Sequence, residues 1–343
     1  MASNSLIDAA PHRHAGAFPT AAQRRRYWII LVAVILIGAA SAWGLIAYGN
    51  PMPVGSEVFW LIAQRRVVAV ATMAIVATCQ AIATVAFQTV TGNRILTPSI
   101  MGFEALYVTI NTAVVFFLGA SGLVRMDHLG MFLVQVALMV GLSLCLYSWL
   151  LGGSGDMHAM LLIGIVIGGG LGSLSTFMRR LLTPNEFDVL TARMFGSVNN
   201  ADPQYFGVAI PLMVGAAAVI LFFSRRLNVI ALGRDVAMSV GLSYRGVVLT
   251  TLVCVSILMA VSTALVGPMT FLGFLVATLG YQCAATYDHA YVLPMAWAIA
   301  FAVLTGAYFL MNHVFYAQGV VSVLIELVGG AVFLIVIVRK GRL

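Results

Sequence analysis

The sequence predicts an all-α, polytopic integral membrane protein with about ten transmembrane helices. Of its 343 residues, 62% are hydrophobic and only 8% are charged, whereas soluble domains carry about 25% charged residues. The mean hydropathy is +1.03, and the apolar residues form runs of the length that spans a bilayer, about 20 residues. This composition excludes a soluble enzyme, a disordered protein and a nucleic-acid-binding protein of the usual kind. The net charge of +7 comes from short basic clusters at the ends of apolar runs.

Each apolar run is predicted to be a helix, because backbone polar groups in lipid can be satisfied only within the segment itself. In chain order the runs lie near 27–49, 67–89, 98–120, 129–151, 158–182, 204–223, 246–266, 270–285, 290–312 and 318–338. The run at 270–285 is the shortest. Residues 1–26 are predicted to form a polar cytoplasmic arm, and 27–343 the membrane domain.

The distribution of basic residues predicts the orientation. With the N-terminus in the cytoplasm, 12 of the 18 Lys and Arg side chains fall on the cytoplasmic side and 6 on the outer side. Cytoplasmic loops carry an excess of Lys and Arg. The count therefore favours a multi-pass protein with both termini in the cytoplasm.

Two connections between the runs are longer and more polar than the others. Residues 183–203 are predicted to form an outer segment with a short helix. Residues 225–245 form the one long cytoplasmic loop, and within it 231–242 carry small and apolar residues at helical spacing beside Arg234 and Asp235. One interpretation is a charged loop that only enforces topology. The other is a short amphipathic helix at the membrane surface that docks into a cytoplasmic partner.

No motif in the chain builds an enzyme site. The phosphate-binding loop, the zinc-protease helix and the nucleophile elbow are all missing from the sequence, so we expect no catalysis and no metal site in this chain. The histidines lie in the arm or at the ends of runs, where we expect them to be interfacial or exposed: His12, His14, His128, His158, His289 and His313.

Two acidic residues, Glu104 and Glu326, lie inside apolar runs, where a carboxylate is costly. They could serve as the proton relay of a secondary carrier. Alternatively, each could pair with a polar group or cap a broken helix, and the nearby Gly102 and Gly329-Gly330 favour such breaks.

Glycines recur at every fourth position at 164, 168 and 172. Such a stripe permits close helix packing, and it would equally leave room for a bulky solute. The sequence leaves both interpretations open.

Four strings in fixed order resemble one family. They read AQRRVV at 63–68, GNRILTPSIMG at 92–102, LGRDVAMSVGL at 232–242 and VGPMTFLGF at 266–274. Together they are similar to the signature of FecCD-type permeases, the membrane subunits of bacterial ATP-binding-cassette (ABC) importers for iron-siderophore complexes and vitamin B12. The second string looks closest to the subgroup that imports catecholate siderophores of the petrobactin or vibriobactin type.

The chain departs from the family pattern in three places. Arg94 stands where the family usually has a proline. The Pro-His-x-x-Arg string expected after the fourth motif is replaced by 276–279, and the arginine expected before the last span is missing near Gln318-Gly319.

The resemblance implies a type II ABC importer permease fold in the bacterial inner membrane, surrounded by lipid, with ferric siderophore as its substrate. Its implied partners are cytoplasmic ABC ATPase subunits, a periplasmic siderophore-binding protein and a second permease subunit, which is either a related chain or a second copy. ATP and Mg would be bound by the ATPase, and this chain would hold no cofactor.

The resemblance also implies roles for particular residues. Arg65 and Arg66 match the positions that dock the binding protein, and Asn93 and Ile95 match the cytoplasmic gate. The residues implied to contact the ATPase are Leu232, Gly233, Arg234, Asp235, Ala237, Ser239, Gly241 and Leu242.

Overall fold

The computed structural model describes residues 16–48, 52–53, 56–125, 129–151, 157–198, 201–314 and 321–340, and every regular element in these ranges is helical. The α-helices are α1 (Ala21–Ala47), α2 (Glu57–Thr91), α3 (Phe103–Leu118), α4 (Ala120–Arg125), α5 (Leu129–Leu151), α6 (Met157–Arg180), α7 (Pro184–Met194), α8 (Phe206–Phe222), α9 (Ser224–Ile230), α10 (Arg234–Ser239), α11 (Tyr244–Val266), α12 (Leu272–Ala284), α13 (His289–His313) and α14 (Val321–Lys340).

The helices fall on the predicted runs, which confirms the all-α membrane fold. Within the described ranges, seven helices are long and apolar enough to cross a membrane: α1, α2, α5, α6, α8, α11 and α13. Three shorter apolar helices, α3, α12 and α14, occupy the other three runs. The count of ten spans stays a prediction for these three.

The first helix begins earlier than the sequence suggested. Thr20 caps α1 by accepting a hydrogen bond from the Gln23 backbone N–H at 3.2 Å, so the three arginines at 24–26 lie in the first turns of the helix. Residues 1–15 of the predicted arm lie outside the described residues.

The two short helices, α3 and α12, both begin part-way through the bundle, because glycines with positive φ redirect the chain ahead of them. Gly102 has φ 91° and follows a 3₁₀ turn at Pro98–Met101, and Gly267 has φ 89°. At 13 residues, α12 is about 20 Å long, shorter than the hydrocarbon thickness of about 30 Å. Because Gly102 ends the 3₁₀ turn and α3 begins directly after it, the break predicted at Gly102 is confirmed.

The break predicted at Gly329-Gly330 is wrong. Helix α14 runs through both residues without interruption. A Cβ on Gly329 would lie 2.7 Å from the Phe271 Cβ. This glycine therefore allows close approach to the chain ahead of α12 and does not end a helix.

The glycine stripe of α6 serves packing at two of its three positions. A Cβ on Gly164 would meet the Met101 Cα at 3.4 Å, and one on Gly168 would meet the Gly102 Cα at 3.2 Å. The stripe thus seats the 3₁₀ turn that leads into α3. Gly172 has no heavy atom of another segment within 4 Å of a Cβ.

The centre of the molecule is helix α2, which packs against α11, α12 and α13. Two side-chain bonds join it to its neighbours: the Gln80 amide donates to the Ser262 hydroxyl at 3.1 Å, and the Trp297 indole N–H donates to the Thr78 hydroxyl at 3.0 Å. Polar side chains bond across membrane helices in this way. Around this centre, α1 lies on α13, α3 on α6, and α5 and α8 on α11.

Candidate functional site

The predicted cytoplasmic loop folds into a compact corner at one end of the bundle, which we call the α10 end. Helix α9 is followed by a three-residue turn and the six-residue helix α10. Backbone bonds close the turn: the N–H of Ala231 donates to Leu227 at 2.9 Å, and that of Gly233 to Ile230 at 2.9 Å. Helix α10 is shorter than the predicted 231–242, because Gly233 (φ 103°) and Gly241 (φ 79°) redirect the backbone on either side of it.

Helix α10 presents an apolar surface. Ala237 is fully buried beneath it, whereas the apolar side chains around it are 44–66% exposed. We call this the α10 surface, and it consists of Leu232, Val236, Met238 and Val240. Arg234 and Asp235 are exposed beside it. Exposed apolar side chains rimmed by charges are typical of a docking surface.

The eight residues predicted to contact the ATPase differ in their exposure. Ala237 points inward and Leu242 is half-buried, so these two support the corner. The other six are exposed: Leu232, Gly233, Arg234, Asp235, Ser239 and Gly241.

The predicted gate residues lie in a loop of residues 92–97 at the same end. Gly92 ends α2 with φ 64°, and the Asn93 side-chain oxygen accepts the Ile95 N–H at 2.9 Å. The Gln88 amide donates to the Arg94 carbonyl at 2.6 Å. The loop is therefore held to the last turn of α2, with Asn93 exposed and Ile95 half-buried.

Arg94, the departure from the family pattern, ties this loop to a second element. Its guanidinium lies 4.6 Å from the ring centroid of Tyr281 on α12 and 4.6 Å from that of Tyr287, which follows α12. A cation over an aromatic face is attracted by the negative charge of that face. A proline at this position would make neither contact.

Sequence reasoning missed a row of polar side chains beside this loop. The Thr89 hydroxyl lies 2.6 Å from His289 Nε2, and His289 Nδ1 lies 2.5 Å from the Asn228 side-chain oxygen. Asn228 in turn donates to the Asp288 carboxylate at 2.8 Å. We call these four residues the polar row. They come from α2, α9 and the start of α13.

His289 corrects the expectation that the histidines are interfacial or exposed. It lies at the first residue of α13, yet it is only 1% exposed, because α9 folds back over it. His313 is half-buried at the end of α13, as expected for an interfacial position. His12, His14, His128 and the side chain of His158 lie outside the described part of the chain.

The opposite end of the bundle carries α7, and we call it the α7 end. The two arginines predicted to dock the binding protein lie here in different surroundings. Arg66 is half-buried and donates to the backbone carbonyls of Tyr48 at 2.8 Å and Ile46 at 3.3 Å, so it caps the end of α1. Arg65 is exposed. Of the two, Arg65 is the one that presents its charge to the surroundings.

Helix α7 confirms the short helix predicted within 183–203. The Glu186 carboxylate accepts the Thr183 backbone N–H at 3.0 Å and the Thr183 hydroxyl at 2.8 Å. These bonds lower the pKa of Glu186 below its ordinary value, since they favour the charged form. This reciprocal cap fixes where the helix begins.

The two intramembrane acids lie near the place where the short helices begin. The Glu104 carboxylate accepts a hydrogen bond from the Thr270 hydroxyl at 2.6 Å, and the Ser99 hydroxyl and the Met269 N–H also face it. Its second oxygen, Oε1, is buried and has no hydrogen-bond partner among the described residues. Glu104 therefore pairs with a polar group and joins the start of α3 to the segment ahead of α12.

The described residues contain no group of three or more His, Cys, Asp or Glu side chains that could hold a metal ion. The α10 end combines an exposed apolar surface on a closed corner with a polar connection to a loop. Such an arrangement suits the transmission of a movement.

Comparisons with known proteins show the family and the fold. The model of the FecCD transport family matches residues 26–339. The chain is 54% identical to the petrobactin import system permease protein FatC of Bacillus anthracis, over 99% of this chain and 97% of that protein. It is 38% identical to the petrobactin import system permease protein YclO of Bacillus subtilis, over 81% and 89%. Its fold matches an ABC transporter solved in an inward-facing conformation, with a TM-score of 0.77 at 18% identity, over 91% of this chain and 99% of that one.

Proposed function

The chain belongs to the FecCD transport family, and we propose that, as the permease subunit of an ABC importer, it carries a ferric siderophore across the bacterial inner membrane into the cytoplasm. It is a transport subunit without catalytic activity, since ATP hydrolysis belongs to a separate chain of such importers. Two relatives named as petrobactin permeases, at 54% and 38% identity, favour a siderophore of the petrobactin type.

The α10 end faces the cytoplasm in this proposal, with both termini on that side. The excess of arginines at this end supports the orientation, because cytoplasmic loops retain basic residues. The α7 end then faces the periplasm. Its first contact with the binding protein is made by Arg65, while Arg66 holds α1 and α2 in place for that contact.

The observation that carries the proposal is the α10 surface. An apolar surface with four side chains 44–66% exposed and two charges beside it would be poorly placed in water, and it fits a cleft in a partner. The partner is the cytoplasmic ABC ATPase, which binds ATP and Mg. Closure of the ATPase would move α10 as a rigid body and so shift the permease between two states.

The remaining parts of the importer follow from the same proposal. Asn93 and Ile95 narrow the cytoplasmic end of the path, and a second permease subunit, either a related chain or a second copy, forms its other wall. Glu104 does not call for a proton-driven carrier, because its carboxylate is engaged with Thr270.

The test reverses one charge beside the α10 surface. The complete importer, reconstituted in liposomes with Arg234→Glu, is expected to lose about tenfold or more of the ATP hydrolysis that the loaded binding protein stimulates, because a reversed charge opposes docking. The matched control is Arg225→Glu, an exposed arginine of α9 outside the surface, which should keep that stimulation. Full stimulation with Arg234→Glu would contradict the docking role of α10.

A further inference from the structure

The polar row is a continuous path of side-chain contacts between helices that are far apart in sequence. Thr89 and His289 are 200 positions apart, and His289 and Asn228 are 61 apart. Only about 10–15% of the hydrogen bonds in folded proteins join two side chains. A row of three such contacts, at 2.6, 2.5 and 2.8 Å, is therefore a specific feature of this end of the molecule.

The hydrogen-bond pattern fixes the direction of the bonds at Asn228. Asp288 caps α13 and its carboxylate can only accept, so the Asn228 amide nitrogen donates to it and the Asn228 oxygen faces the other way. That oxygen accepts the His289 backbone N–H at 2.9 Å and the proton on Nδ1. A neutral His289 then presents a lone pair at Nε2, and the Thr89 hydroxyl is the donor facing it. The single proton of that hydroxyl is shared between His289 Nε2 and the Val85 carbonyl, whose oxygen lies at 2.9 Å.

One end of the row lies at the base of α10. Asn228 is in α9, whose Leu227 and Ile230 are buried, and α9 continues into α10 through the closed backbone turn. We therefore expect the corner to move as one piece, so that a displacement of α10 would displace Asn228 with it.

The other end of the row lies one turn before the gate loop. Thr89 is adjacent in sequence to Gln88, whose amide holds the Arg94 carbonyl. Arg94 in turn lies over Tyr281 and Tyr287, at the end of α12 and beyond it. The loop of 92–97 is thus fixed to the same two regions, the end of α2 and the α12–α13 connection, that the row joins to α9.

We propose that the polar row is the connection through which a displacement of α10 reaches the loop of 92–97, with Asn228 and His289 as its positioning residues. The inference rests on the proposed function, because it needs α10 to be the docking surface and the loop to be the gate. Apolar packing lets helices slide, whereas a hydrogen bond of 2.5–2.8 Å is directional and weakens steeply when its geometry changes. The row makes α9, α13 and α2 move together.

The test uses isosteric substitutions in the complete importer, reconstituted in liposomes and supplied with the loaded binding protein. Thr89→Val and Asn228→Leu keep the side-chain shape and remove the bonds of the row. The measured quantity is siderophore transported per ATP hydrolysed, which a merely structural defect leaves unchanged. We expect a decrease of about fivefold or more, the lower end of the usual range for coupling between two sites.

Two controls lie on the same helix. Thr89→Ser keeps the hydroxyl and should keep the ratio near the wild-type value. Thr91→Val removes a buried hydroxyl that bonds only carbonyls of its own helix, those of Phe87 and Gln88, and should also leave the ratio unchanged. The ratio remains defined for whatever fraction of the complex assembles, so poor folding of a variant does not hide the result.

The outcome separates this inference from the proposed function. If Thr89→Val and Asn228→Leu transport as much siderophore per ATP as Thr91→Val, the polar row is not the connection. If the Arg234→Glu complex also keeps full stimulation, the docking role of α10 fails as well. Loss with Arg234→Glu but no loss with Thr89→Val overturns this inference alone.

Discussion

The two ends of the molecule are held together by different kinds of bond. At the α10 end, side chains bond side chains in a row that crosses three helices. At the α7 end, contacts between separate segments use the backbone: Arg66 donates to carbonyls at the end of α1, and the Val198 N–H donates to the Tyr308 hydroxyl at 2.7 Å. There, the Ser197 N–H also donates to the Val266 carbonyl at 2.9 Å.

This difference indicates a division of labour. Bonds to the backbone fix the path of the chain, so the α7 end is a scaffold whose disturbance costs stability. Bonds between side chains fix the relative positions of whole helices and can be broken while each helix remains intact, so the α10 end can transmit movement. Substitutions at the α7 end should therefore change the free energy of unfolding and leave transport per ATP unchanged, whereas those in the polar row should lower transport per ATP.

The largest effect is expected at Gly196, where two segments of the α7 end meet. A Cβ on Gly196 would collide with the Pro268 backbone carbonyl oxygen, which cannot rotate away. Gly196→Ala should destabilise the protein by about 3 kcal/mol, since overpacking against backbone forces a shift of the chain. The measurement is thermal unfolding of the purified chain in detergent.

Gly169→Ala is the matched control for this substitution. Gly169 lies in the interior of α6 and has nothing within 4 Å of a Cβ. Alanine there should be neutral or stabilise by up to about 1 kcal/mol, because it is the better helix former. If both variants have the same melting temperature, the α7 end does not act as a scaffold.

The sequence predicted the fold better than the site, for a physical reason. Lipid imposes helices on long apolar runs, and Gly102 marks a break because it adopts φ 91°. Burial of His289 depends on α9 folding back from 61 residues away, and nothing in its local sequence reports that. The 63–68 string likewise does not report that Arg66, rather than Arg65, is engaged by the end of α1. Long-range contacts of this kind leave no periodic pattern in the sequence.

An intermediate effect is expected where α3 meets the segment ahead of α12. Thr270→Val removes the donor to Glu104 and leaves a buried carboxylate with one partner fewer, at a cost of about 1–3 kcal/mol. Thr251→Val is the control, because the Thr251 hydroxyl bonds only the Val247 carbonyl of its own helix at 2.8 Å. Thermal unfolding measures both.

The same variant also tells which end this junction belongs to. If Thr270→Val lowers stability and keeps transport per ATP, the scaffold extends from the α7 end to Glu104. If it lowers transport per ATP as well, the transmitting part of the molecule reaches into the membrane, and the boundary between the two regions must be moved. Unchanged stability would show that the hydrogen bond at 2.6 Å contributes nothing.

The smallest effect is expected at the neighbouring arginines of α2. Arg66→Ala removes two bonds to carbonyls at the end of α1 and should destabilise the chain by about 1 kcal/mol. Arg65→Ala, at an exposed position, should change stability by less than about 0.5 kcal/mol.

For association with the binding protein we expect the opposite order, Arg65→Ala having the larger effect, since an exposed rim charge acts on the association rate. Arg65→Ala should slow association and make it less sensitive to salt, as measured by surface plasmon resonance on the reconstituted importer. If Arg66→Ala slows association as strongly while the melting temperature is unchanged, Arg66 is a docking residue, and the α7 end is then a binding surface as much as a scaffold.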